Sequence, residues 1–256
     1  MEQATATATI QEPRTVSAPA RTIYEQPLNE RMRLFLRLDF LFQQALHHLR
    51  KDNLWENRAS LSALLSLLDL LQRIDLKSDL VKELERMGAV LERLAQIPDV
   101  DTEQLDQVLE EIEHTQDNLQ RLEGSVDRLL QHPLLSCVSK RYVIPGGTCH
   151  FDLPLLHHWL HQPSERRIQD LENWFNALRP FQEGTALTLR LIRESAAPIR
   201  EIAERGMYQK SLDSSLPWQM VRIALPAEAP YYPEISAGKH RFTVRFLQPV
   251  EMGRPA

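Results

Sequence analysis

Cysteine, long apolar runs and surplus positive charge are all scarce in this chain, and each scarcity removes a class of protein. Only two cysteines, Cys137 and Cys149, stand among 256 residues. That is too few for a disulfide framework and fits a reducing compartment, the cytoplasm. No run approaches the roughly 20 apolar residues of a membrane span. The nearest stretch, Leu61 to Leu71, is interrupted by Ser62, Ser66 and Asp69 and reads as a buried helix. Residues 1–22 lack the apolar segment of a secretion signal, and Glu2 and Glu12 argue against an organellar transit peptide, so this segment reads as a disordered tail. The net charge is -5, without the basic excess of a duplex nucleic-acid binder. Residues 199–256 nevertheless hold 8 Lys+Arg against 6 Asp+Glu, a mildly basic end that suits an acidic peptide partner.

The motifs of catalysis are missing as well. Pro145-Gly146-Gly147 lacks the Lys and Ser/Thr that complete a phosphate loop, and no GxGxxG or GxSxG occurs. Cys149, His150, His157, His158 and His161 invite a metal reading, because His157 and His161 are spaced i,i+4 and share a helical face. The residues between them are His158, Trp159 and Leu160, so the glutamate of a HExxH site is absent, and no CxxC supports structural zinc. Histidines that pack or hydrogen-bond are the simpler expectation. No cofactor is expected and the chain reads as a binding protein, not an enzyme.

What is present is helix, then strand: an α+β chain. Asn29 caps a first helix to Leu49, and Asn57 to Ile74 forms a second, Leu-rich one. Leu80, Leu84, Met87, Leu91 and Leu94 make one heptad seam. A second runs from Leu105 through Val108, Ile112, Thr115, Leu119, Leu122 and Val126 to Leu129. Ile97 to Asp101 joins them, with Asp101 as cap, which predicts a projecting antiparallel helical hairpin. Its acidic second arm reads as a solvated face, or as a partner-binding or dimerising face. Residues 141–151 carry β-favouring residues around Pro-Gly-Gly and predict a β-hairpin added to the sheet. Asp152 and Ser164 open two further helices, and Thr185 to Ile192 reads as helix. From residue 198 short β-like runs follow, at Met220 to Leu225, Tyr231 to Ile235 and His240 to Leu247. The expected division is a tail at 1–22, a mainly helical domain at 23–197, a β-strand domain at 198–250 and a tail at 251–256. In the last strand Phe242, Val244 and Phe246 share one face while Arg241, Thr243 and Arg245 share the other. With Lys239, His240 and Arg222 nearby, those guanidiniums could grip a carboxylate-bearing peptide.

Several stretches, in order along the chain, resemble the ZapD family of bacterial cell-division proteins. They are Tyr24 to Arg33, Leu36 to Leu41, Asp79 to Leu84, Ile144 to Gly147 with Phe151 to Pro154, His157 to His161, and Tyr232 to Phe246. The resemblance implies a cytoplasmic homodimer, recruited to the division site at mid-cell, that binds the C-terminal tail of FtsZ and cross-links FtsZ filaments. It involves neither nucleic acid nor membrane. Carried over position by position, it places Arg37, Arg73, His157 and Arg241 at the tail-binding surface, and Lys239 is added from proximity. The family pattern is departed from at Pro133, where a basic residue is expected. The alternative left by the sequence is a helical scaffold that binds a partner through its heptad hairpin.

Overall fold

The computed structural model describes residues 20–97, 101–122, 124–238 and 240–249. The fold is α+β, and the chain divides into a helical unit within 27–200 and a β unit that joins residues up to 26 with residues from 201 onward. Among the described residues no helix is long and apolar enough to cross a membrane.

In the helical unit, α1 (Glu30–Leu49) starts where Asn29 accepts a hydrogen bond from the Met32 N–H at 2.8 Å, and it buries Met32, Phe35, Leu38, Phe42 and Ala45. It packs along α2 (Leu54–Arg73), which begins earlier than the sequence suggested. Asn53 is the cap there, accepting from the Trp55 N–H at 2.8 Å. Asn57, expected to open the helix, is fully buried inside it. Its amide donates to the Lys51 carbonyl at 3.1 Å, which also accepts from the Asn53 N–H at 2.9 Å, and to the Leu49 carbonyl at 3.4 Å, where α1 ends. Its own oxygen accepts from Arg167 Nε at 2.8 Å, and Arg167, also buried, donates to the Gln162 carbonyl. Arg167 stands on α8 (Ser164–Asn176) and Gln162 just after α7 (Pro154–Leu160). One buried polar node therefore joins four helices. Ser164 is the first residue of α8 and makes no side-chain cap.

The heptad seams form α3 (Leu76–Leu94) and α4 (Thr102–Gln120), with Asp101 capping α4 by accepting from the Gln104 N–H at 3.1 Å. Of the expected joint, residues 98–100 lie outside the described residues. At its base the pair packs on α9 (Arg179–Glu194), where Gly184 lets Leu119 and Leu80 approach; a Cβ there would meet Leu119 Cδ1 at 3.1 Å. Toward its other end the apolar seam is left uncovered: Val90, Leu94 and Ile97 are 40%, 40% and 52% exposed. The second arm is shorter than the heptads imply. It stops at Gln120, the chain turns at Gly124 with φ 64°, and α5 (Ser125–Gln131) follows.

Residues 141–151 form no strand, a correction to the sequence reading. Pro133 opens α6 (Pro133–Tyr142), whose buried Leu134, Leu135 and Val138 commit the segment to helix as far as Tyr142. The β-favouring Val143 and Ile144 that follow are 83% and 47% exposed, so no sheet face rewards them. Consecutive turns take their place, and Gly147 folds back so closely that a Cβ would lie 2.6 Å from the Arg141 carbonyl oxygen.

The β unit holds two small sheets. β1 (Arg21–Pro27), which begins inside the segment expected to be tail, pairs with β3 (Met220–Pro226). The other sheet has the antiparallel order β2 (Met207–Ser211), β5 (Arg241–Leu247), β4 (Tyr232–Ala237). Arg205 and Gly206, with φ 52° and 75°, make the tight turn that leads into β2. The expected alternation holds in β5, with Val244 buried and Arg241 and Arg245 exposed.

Arg167→Ala is expected to destabilise the helical unit by about 2–4 kcal/mol, because it strips a partner from buried Asn57 and leaves a partly buried carbonyl unmatched. Urea unfolding followed by circular dichroism checks it, with the exposed Arg73→Ala expected to stay within about 0.5 kcal/mol of the parent chain.

Candidate functional site

The cations singled out by sequence fall into two electrostatic classes once their neighbours are known. Arg37 projects from the exposed face of α1 and forms no ion pair among the described residues. Phe40, one turn further on, is 65% exposed. A free guanidinium beside an uncovered aromatic ring is a surface suited to a peptide with both acidic and apolar side chains. The sequence reading did not single out Phe40; its position off the Phe35–Leu38–Phe42 stripe was the available signal. Arg241, in the β unit, likewise forms no ion pair among the described residues and lies opposite Ser211 of β2.

The remaining arginines are engaged. Arg73, at the end of α2, pairs with Asp69 at 2.8 Å. Arg245 faces Glu234 across the β5–β4 register at 3.7 Å. Arg222 meets Glu25 at 3.0 Å, and it belongs to the β1–β3 sheet, not to the sheet that carries Arg241 and Arg245. The single guanidinium face expected from alternation is therefore divided between two sheets. Lys239 lies outside the described residues.

His157, on α7, is exposed and sits in a cluster of rings. The His161 centroid is 4.2 Å away and the His150 centroid 5.6 Å away. The His161 Nδ1–H donates to the His157 carbonyl at 2.8 Å, since a carbonyl only accepts, and so Nε2 is the free nitrogen of a neutral His161 ring. Desolvation holds the His157 ring below the usual histidine range, and positive charge on His161 and His150 pushes the same way. The loop that brings His150 to the cluster is tied down from α2: Arg58 donates to the Thr148 carbonyl at 2.9 Å and to its hydroxyl at 2.7 Å. His158, on the same short helix, stays apart and bonds Gln162 at 2.9 Å. Arg73 is distant from this cluster, roughly 22 Å along α2 from Arg58 at the rise of a helix.

Among the described residues no three His, Cys, Asp or Glu side chains are arranged to hold a metal ion. A shallow depression of about 410 Å³ lies on α4, lined by Glu110, Glu113, His114, Gln116, Asp117 and Gln120. Its carboxylates make it a poor seat for an acidic peptide.

The chain matches the family model described as ZapD, cell division protein, over residues 36–245. It is similar to the cell division protein ZapD of Methylococcus capsulatus, with 44% identity across 91% of this chain and 92% of that one. It is also similar to the proteins of the same name from Ralstonia nicotianae, 39% identical over 88% and 90% of the two chains, and Coxiella burnetii, 37% identical over 88% and 87%.

Removing Arg222 is expected to cost about 1 kcal/mol, because a partly buried pair with Glu25 is lost, whereas Arg241→Ala is expected to leave stability within about 0.5 kcal/mol. Urea midpoints of the two variants, compared with the parent chain, decide it.

Proposed function

The chain belongs to the ZapD family of cell division proteins, and from that premise we propose that it serves division without catalysis, as a receptor for the C-terminal tail of FtsZ. As a homodimer it presents the tail site twice, cross-links FtsZ filaments into bundles and so promotes Z-ring assembly in the cytoplasm at mid-cell. The observation that carries this reading is the pair of exposed guanidiniums, Arg37 and Arg241, left without an internal carboxylate among the described residues. A guanidinium is best satisfied by a carboxylate, and a flexible acidic peptide can supply one to each. Arg73, Arg222 and Arg245 are assigned to tail binding as well, with smaller effects, because each must exchange a carboxylate it already holds. His157 and Lys239 complete the assignment.

A second reading is favoured by one observation, the uncovered Val90, Leu94 and Ile97 at the far end of α3, which would let the hairpin dock a partner helix. Shortening the hairpin around residues 98–101 separates the two: the tail receptor keeps its affinity, and the hairpin scaffold loses its partner.

Co-sedimentation with polymerised FtsZ tests the principal reading. The full chain is expected to pellet with filaments and bundle them, and FtsZ without its C-terminal tail is expected not to carry it down. Arg37→Glu and Arg241→Glu should each weaken tail binding about tenfold or more with helical content unchanged. Affinity should also fall as salt is raised through the range where the screening length shrinks to about 8 Å. Failure of the full chain to sediment with FtsZ overturns the reading.

A further inference from the structure

Resting on the tail-receptor reading, we propose that His150 and His161 join His157 as a proton-sensing contact for the tail's carboxylates, so that the helical unit grips the tail more tightly as pH falls.

The proposal stands on the geometry of the cluster. Three exposed imidazoles lie in sequence of contact, His150 to His157 at 5.6 Å and His157 to His161 at 4.2 Å between centroids. Rings this close resist charging together, since each proton raises the cost of the next. The surroundings do not relieve that cost. α7 packs on α2 and α6. From α2 the facing charge is Arg58, a cation, held against Thr148 of the His150 loop. From α6 come Lys140, Arg141 and Tyr142, and the connecting turns carry Cys149 and Asp152. Asp170 of α8 is occupied by the Trp159 indole N–H at 2.9 Å. No carboxylate is among the groups that act on the His157 ring. The cluster therefore holds the free His157 ring toward its neutral form, by desolvation first and by its ring neighbours second. What it lacks, an anion shared among the rings, is what an acidic peptide brings.

The sign follows from linkage. Tail carboxylates stay ionised down to about pH 5. Beside them the imidazoles protonate more readily than in the free protein, so the complex holds more protons than its parts, and affinity rises as pH falls. Because the free His157 ring titrates below its ordinary value, the rise is concentrated between about pH 7 and about pH 5.5. The i,i+4 bond from His161 to the His157 carbonyl keeps the two rings on one side of α7, and Arg58 keeps His150 within reach of them.

The test is a titration of a labelled FtsZ C-terminal tail peptide with the full chain, read by fluorescence anisotropy at several pH values. Affinity is expected to rise about three- to tenfold from about pH 7.5 to about pH 5.5. His161→Gln and His150→Gln are each expected to flatten that profile, and His158→Gln, outside the cluster, to leave it as in the parent. NMR titration of the ring protons gives a second readout: His157 should titrate below the ordinary histidine value, and closer to that value in His161→Gln. Binding that is independent of pH, or a slope untouched in both cluster variants, overturns the proton-sensing contact while the tail receptor stands. Absence of tail binding at every pH overturns both.

Discussion

The helical unit depends on a guanidinium buried where four helices meet. Arg167 is 7% exposed, and a cation so placed needs acceptors and a counter-charge, the latter from Asp52 at 3.9 Å. It donates to the Asn57 side chain and to the Gln162 carbonyl, and Asn57 in turn donates to the carbonyls that close α1. Helix ends leave carbonyls without partners, and burying two such ends at one point would be costly without side chains that reach them. The node therefore specifies more than it stabilises. It ties the end of α7 to α1 and α2, and the histidines stand on or beside that helix. Arg58, the residue after Asn57 on α2, repeats the device on the other side by holding the Thr148 loop. Two cations on adjacent helices, neither in the candidate binding surface, thus determine its local shape.

The parts of this fold that were legible in the sequence are those whose cause is local. Asn29 and Asp101 announce helix starts because a capping side chain acts within three residues, and the heptad seam of α3 shows because its spacing repeats. The parts that were not legible depend on distant partners. β1 is a strand only because β3, some two hundred residues later, lies beside it. β2 is five residues with little apolar character, and it exists because β5 offers an edge. The segment after Tyr142 failed for the opposite reason. Val143, Ile144 and the Pro-Gly-Gly signal are strong locally, but β propensity is a statement about packing on a sheet, and no neighbouring strand is present there.

The same division runs through the candidate site. The i,i+4 spacing of His157 and His161 is visible in the sequence, whereas His150 enters the cluster only through the turns that replace the expected hairpin. Alternation correctly put Arg241 and Arg245 on one face, but charge is a property of neighbours. Nothing in a strand pattern says that Glu234 sits across from Arg245 and only Ser211 across from Arg241. Nor could it say that Arg222 is matched by Glu25 from the opposite end of the chain. Which arginine is available to a ligand had to come from the fold.

On the proposed tail-receptor reading, a surface of this kind constrains how filament bridging would work. Its cations are exposed, set on separate elements, and not enclosed in a deep pocket. Exposed guanidinium–carboxylate contacts contribute little each because water and salt compete for both partners. A tail held by a few such contacts binds weakly and leaves quickly. Bridging by one receptor site would then be fleeting, and under that proposal strong bundling would come from number: two sites on a dimer, many tails along a filament, and rebinding before a neighbour lets go. Weakness at each contact is then an asset, since a bundle built this way can shorten and rearrange without any single bond having to be forced open.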